Sequence, residues 1–151
     1  MNVWEICSQH AVTISEHAQL AEVARLMEAE KVGAVIVTGG STNRPTVAGI
    51  ITDRDIVCTQ LERTLDLSQL TAGDAMSRDP LVLFQNGQVD AAIDHMRARG
   101  VRRAPVITAA GAPVGMLSTD DLLVHISLKV GGMAALITRQ VRGRQQATYT
   151  P

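Results

Sequence analysis

The chain has 151 residues, 46% of them hydrophobic, which leaves room for one ordinary domain or a tightly packed pair of half-domains around a real core. Net charge is −1 and the aromatic residues are Trp4, Phe84 and Tyr149, so neither the basic footprint nor the stacking platforms of a nucleic-acid binder are present. Cys7 and Cys58 form no close-spaced pair, and no charged, apolar, small-residue leader opens the chain; the expectation is a reducing, cytoplasmic setting with both thiols as small core fillers.

In chain order, Val12 to Ile14 reads as a short strand followed by a polar turn, His17 to Gln19. Leu20, Val23, Ala24 and Met27 then keep the i, i+3, i+4, i+7 spacing of a helix with one buried face, with Glu22, Arg25 and Glu28 on the other. Ala34 to Val37 is an apolar run of strand length, and a second strand is expected at Val47 to Ile51. Between them Thr38-Gly39-Gly40-Ser41 reads as a hairpin turn, because it lacks the Lys-Ser/Thr ending of a phosphate loop. The segment from Thr52 opens a second helix.

A shift of 69 residues, Met27 to Met96, replays this series. It gives a strand at Leu81 to Leu83, a turn at Asn86 to Gln88, and a helix with Val89, Ala92, Ile93 and Met96 inward and Asp94, Arg97 and Arg99 outward. Strands follow at Ala104 to Ile107 and Val114 to Leu117, and Ser118 opens the closing helix. Val37 to Gly49 is three residues longer than Val106 to Gly115, a loop insertion in the first copy. A β-α-β-β-α order leaves a sheet edge and an apolar helix face uncovered in each copy, so the α/β fold is expected to be two repeats packed on one another, the pair being the minimal stable unit. The boundaries are repeat 1 at 1–62, a linker at 63–71, repeat 2 at 72–127 and a partly helical tail at 128–151.

In the tail, Ile126, Val130, Met133, Ile137 and Val141 continue an apolar stripe, with Arg139, Arg142 and Arg144 clustered late. Gly131 and Gly132 each cost about 1 kcal/mol relative to alanine in a helix, so a bend or break is expected there. Leu122 to Ile137 contains His125 and Lys129 and falls short of the roughly 18 uncharged residues of a membrane span; it reads as a packing or dimer-contact helix.

The chemistry concentrates in a duplicated device, GIITDRDIV at Gly49 to Val57 and GMLSTDDLL at Gly115 to Leu123: glycine, two apolar residues, a hydroxyl, two spacers and an aspartate. Two readings of Thr52-x-x-Asp55 and Ser118-x-x-Asp121 stand together. One is a capping box, in which hydroxyl and acid satisfy the helix-start donors. The other is a nucleotide site, in which free helix-start N–H groups and the hydroxyl meet a phosphate, the acid accepts from vicinal ribose hydroxyls, and Gly49 and Gly115 let a ligand approach the backbone.

These segments, with Val3-x-x-Ile6, Ala72-x-x-Ala75-Met76 and the run Gly100-Val101-Arg102-Arg103-Ala104-Pro105-Val106, resemble a tandem pair of cystathionine β-synthase (CBS) domains, a Bateman module, from about Val3 to Ile126. The resemblance implies two half-domains in pseudo-twofold packing with adenosine-containing ligands in the clefts between them. Carried over, one pocket combines Ile50, Thr52, Arg54 and Asp55 with Pro80, Val82, Leu83, Arg102, Arg103 and Ala104. The other combines Met116, Ser118 and Asp121 with Ala11, Thr13, Ile14, Gly33 and Ala34. Arg54 and Arg103 make the first the better phosphate site, since Asp120 and Ala34 occupy the corresponding places in the second.

His10, His17, His95 and His125 show no metal-site spacing, and no Ser-His-Asp or Cys-His constellation can be assembled. The expectation is a non-enzymatic regulatory module: a homodimer that needs no cofactor, binds AMP, ADP or ATP, with S-adenosylmethionine and NAD(H) in the wider ligand class, and signals to an unidentified effector protein, with no nucleic-acid or membrane partner. The alternative is an interaction scaffold whose hydroxyl-Asp segments serve only as caps.

Overall fold

The computed structural model describes residues 1–41, 43–64 and 66–147, with side chains described through residue 138. It divides into a unit from Met1 to Ser118 and a second beginning at Thr119. In the first, β1 (Thr13–Ser15) and α1 (Leu20–Glu30) lead to a hairpin of β2 (Ala34–Ser41) and β3 (Arg44–Thr52), then α2 (Asp53–Arg63). After α3 (Ala72–Ala75) and β4 (Ser77–Arg78) come β5 (Leu83–Phe84), α4 (Val89–Arg99), β6 (Arg103–Ile107) and β7 (Pro113–Ser118).

Both helices with the expected apolar spacing start where the pattern starts. Leu20, Val23 and Met27 are buried on α1, and Val89, Ala92 and Met96 on α4. They end alike: the equivalent residues Lys31 and Gly100 both take left-handed backbone, φ 55° and 64°. Within each repeat the first strand is parallel and the third antiparallel to the second, giving sheets ordered β1-β2-β3-β4 and β5-β6-β7.

Thr38-Gly39-Gly40-Ser41 is not a turn. It extends β2, paired residue by residue with Arg44 to Val47. The three extra residues thus lengthen a β-ribbon, because main-chain pairing satisfies more donors and acceptors than an open loop. A bulge interrupts both hairpins at the same place, between Val37 and Thr38 and between Val106 and Ile107.

The segments that open the two repeats are exchanged. Residues 70–78 dock on the first repeat: Leu20 donates its N–H to Leu70, Ala72 to Ala18 and Gly73 to Glu16, and β4 adds to the edge of β3. Leu70, Ala72 and Met76 complete the core formed by Leu20, Val23, Val35, Val37 and Ile51. Conversely, Val3 and Trp4 donate to Gly87 and Gln85 of the second repeat, and Ser8 and Met116 exchange both main-chain bonds at 3.0 and 3.1 Å. The capping box Thr71/Asp74 pins one crossing. Its backbone N–H, then its hydroxyl, then Arg63 and Arg78 hold the Asp74 carboxyl below its ordinary pKa.

The crossings explain the two motif glycines. A Cβ on Gly49 would stand 2.6 Å from Met76 Sδ and 2.8 Å from the Ser77 carbonyl oxygen, and one on Gly115 would overlap the Ser8 carbonyl oxygen. The exchanged segments, main chain and the Met76 and Cys7 side chains, fill the space beside these glycines. Of the cysteines, Cys7 is buried at its crossing, whereas Cys58 is exposed on α2 and fills no core.

The second unit is one helix, α5 (Thr119–Ala147). The expected break at Gly131-Gly132 does not occur. Two glycines cost about 2 kcal/mol of propensity, and their flanks, Leu128 to Val130 and Met133 to Leu136, are mostly strong helix formers. Leu123, Ile126, Val130, Met133 and Ile137 are all exposed, as are Val124, Leu128 and Leu136 between them. By length and composition alone Thr119–Thr138 suffices to cross a membrane, with mean hydropathy 1.4, although it includes His125 and Lys129. The side chains of Arg139, Val141, Arg142 and Arg144 and the last four residues of the tail, 148–151, lie outside the described set.

Gly115→Ala should cost about 1–3 kcal/mol through overpacking at the crossing. Gly132→Ala, which meets open space, should leave stability unchanged or raise it by up to about 1 kcal/mol. Urea denaturation of both variants measures the difference; equal costs would contradict the crossing as the reason for Gly115.

Candidate functional site

Between the two repeats of the first unit lies an open cleft of about 570 Å³. The first repeat supplies Ile50 and Thr52 from the end of β3 and Asp53 and Arg54 from the start of α2. The exchanged segment supplies Ser77 through Leu81, and the second repeat supplies Arg99, Val101, Arg102 and Arg103. Ile50, Pro80, Leu81 and Val101 form an apolar wall, while five arginines, counting Arg78, face two aspartates, Asp53 and Asp79.

The start of α2 is internally satisfied. Asp53 N–H donates to the Gly33 carbonyl at 3.3 Å, Arg54 N–H to Asp53 Oδ1 at 2.8 Å, and Asp55 N–H to Thr52 Oγ1 at 3.2 Å. Asp55 Oδ2 closes the box by accepting from Thr52 N–H at 2.8 Å and from its hydroxyl at 2.6 Å. The expectation of free helix-start donors therefore fails here. The first-turn acids, Asp53 and Asp55, and the Gly33 carbonyl sit within hydrogen-bond reach of those N–H groups, so folding consumes them.

The arginines divide into two groups. Arg99, the last residue of α4, donates from Nη2 to the Asp79 carbonyl at 2.8 Å and lies 3.5 Å from Asp79 Oδ2, holding Asp79 at φ 51°. Arg78 donates from Nη2 to the Gly73 carbonyl at 3.0 Å. The guanidinium groups of Arg54, Arg102 and Arg103 have no hydrogen bond or ion pair among the described residues, and all three residues are exposed. They are the charges available to an anion.

Of the first expected residue set, Ile50, Thr52, Arg54, Pro80, Arg102 and Arg103 share the cleft. Asp55 does not line it; its carboxylate is turned to the cap. Leu83 and Ala104 are buried in the second repeat, and Val82 lines a separate apolar hollow with Leu83, Phe84 and Val3. Leu83 pairs with Val106 and Ala104 with Leu117 inside the second sheet, where both side chains are packed in the core. The reading missed Asp53, Ser77, Arg78, Asp79, Leu81, Arg99 and Val101; the outward helix face and the bend after β4 approach the cleft only once the crossing is made. Of the second set, Thr13 and Ile14 lie on β1, Ala34 opens β2, Met116 lies within β7 and Ser118 ends it, Gly33 immediately precedes β2, and Ala11 lies two residues before β1. Asp121 belongs to the first turn of α5.

The CBS domain family matches residues 3–61 and 72–128. An uncharacterized protein of Methanopyrus kandleri is 25% identical over 123 residues, 82% of this chain, which spans 61% of that relative's length. Hypoxic response protein 1 of Mycobacterium tuberculosis is 29% identical over 81% of this chain and 82% of its own. The solved structure of Hypoxic Response Protein I, with two coordinated zinc ions, superposes with a TM-score of 0.70 over 83% of this chain and 98% of that one. A CBS domain protein of Pyrobaculum aerophilum complexed with AMP, 27% identical, superposes with a TM-score of 0.69 over 81% of this chain and 90% of that one. Among the described residues here no group of three His, Cys, Asp or Glu side chains could hold a metal ion.

The cap has a stability of its own to test. Without any ligand, Thr52→Ala and Asp55→Ala should each lose about 1 kcal/mol, as N-cap deletions do. Denaturant titration reads this directly; unchanged midpoints would mean the box contributes nothing to the fold.

Proposed function

The chain belongs to the CBS domain family, and from that membership and the cleft between its repeats we propose a regulatory module that binds an adenine nucleotide of the AMP, ADP or ATP class. The observation that carries the reading is the cleft itself, whose volume of about 570 Å³ falls among small-molecule sites and whose lining joins an apolar wall to uncommitted guanidiniums. Ile50, Pro80, Leu81 and Val101 suit a planar base; Arg54, Arg102 and Arg103 suit its phosphate. A relative's complex with AMP supports the ligand class.

A ligand touching both repeats stabilises whichever inter-repeat arrangement it fits better, and its output is limited by that difference in affinity. In this reading the protein is a cytoplasmic binding module and not an enzyme, and the output passes to a separate effector protein. The second pocket, built within the first unit from Met116 and Ser118 with Ala11, Thr13, Ile14, Gly33 and Ala34, belongs to the same proposal as the weaker site, for a ligand of less negative charge. The exposed stripe Leu123, Ile126, Val130, Met133 and Ile137 keeps the alternating 3–4 spacing of a helix-pairing seam, so a second copy of α5 is its proposed cover, with no membrane or nucleic-acid partner.

Two measurements follow. A ligand at about 100 times its Kd adds about 2.7 kcal/mol to the folded state, so AMP, ADP or ATP should raise the melting temperature by several degrees. No shift with any of them, nor with S-adenosylmethionine or NADH, would favour the scaffold reading. Light scattering should show a dimer that Ile126→Glu with Met133→Glu converts to monomer; a wild-type monomer would refute the seam.

A further inference from the structure

The Thr52 cleft holds more positive charge than one phosphate needs. Its lining counts five arginines against two aspartates. The Arg99 guanidinium serves the Asp79 loop and Arg78 the Gly73 carbonyl, which leaves Arg54, Arg102 and Arg103. The first three main-chain donors of α2 are already used, so an anion here meets guanidinium groups and not a helix terminus. A monophosphate carries about two negative charges and is met by one or two bidentate guanidiniums; three suit a longer run of phosphates.

The other repeat carries the opposite design. The positions equivalent to Arg78, Asp79, Arg99, Arg102 and Arg103 are Gln9, His10, Glu30, Gly33 and Ala34, with no arginine among them, and Asp120 stands where the second motif matches Arg54. The equivalent pairs bond with reversed polarity: Arg99 reaches Asp79 in one repeat, and Glu30 is 3.2 Å from His10 Nε2 in the other. An acid thus stands at the end of the first helix where the other repeat has a base.

We infer that the phosphate chain is what this protein reads: the Thr52 cleft takes nucleoside di- and triphosphates in preference to monophosphates, one per chain, with guanidiniums doing the neutralising that a divalent cation does elsewhere. This rests on the nucleotide reading above and adds the number of phosphates and a single place in the chain that takes them.

Isothermal titration in EDTA with adenosine, AMP, ADP and ATP tests it. Affinity should rise from AMP to ATP by about tenfold or more, the effect of one added charge-assisted bond, with one ATP per chain and a stronger salt dependence for ATP than for AMP. Arg102→Ala with Arg103→Ala, both exposed and outside the core, should collapse the ATP-to-AMP ratio while the melting temperature of the free protein is kept. AMP binding as tightly as ATP, two ATP per chain, or an unchanged ratio in the double variant would overturn the inference and leave the nucleotide reading standing. No binding by any of the four compounds would overturn the nucleotide reading itself.

Discussion

Everything in the first unit depends on two main-chain crossings, Ser77 over Gly49 and Ser8 over Gly115. Each repeat ends its hairpin on an edge strand with unpaired donors and acceptors, and neither supplies its own cover. The cover comes from the segment that opens the other repeat, which inserts Leu70, Ala72 and Met76 into one core and Val3 and Cys7 into the other. Because the approach is that close, the strand position beneath must lack a side chain.

The same crossing builds the site. After β4 leaves the edge of β3, the chain runs through Asp79, in left-handed backbone, and Pro80 to form one wall of the cleft. Arg99 ties that wall to the end of α4 through the Asp79 carbonyl. The geometry of the pocket is therefore coupled to how the repeats sit on each other. This is the mechanical requirement for a ligand in the cleft to change anything outside it.

Thr52 and Asp55 show why a motif has to be distinguished from a site. Their hydroxyl and carboxylate bond each other and the local backbone, completing a capping box, and Asp55 is not among the residues lining the cleft. The cap orients α2 so that Arg54 and Asp53 reach the opening. The motif positions the charged residues, and the arginines supply the electrostatics. The sequence around the second copy differs, with Asp120 and Ala34 standing where the first copy has Arg54 and Arg103.

Apolar spacing in the sequence was enough to determine the starts and buried faces of α1 and α4 and the repeat, because burial of one helix face is a local periodicity that side-chain order alone expresses. Ile50, Thr52, Arg54, Pro80, Arg102 and Arg103 were legible as neighbours through the family resemblance. The extension of β2 through Gly39-Gly40, the continuity of α5 through Gly131-Gly132, and the cleft places of Arg78, Asp79 and Arg99 were decided only by tertiary structure. Main-chain pairing does not depend on which side chain is present, and the exchange of segments joins residues as distant in the chain as Ser8 and Met116, so no local pattern could report either.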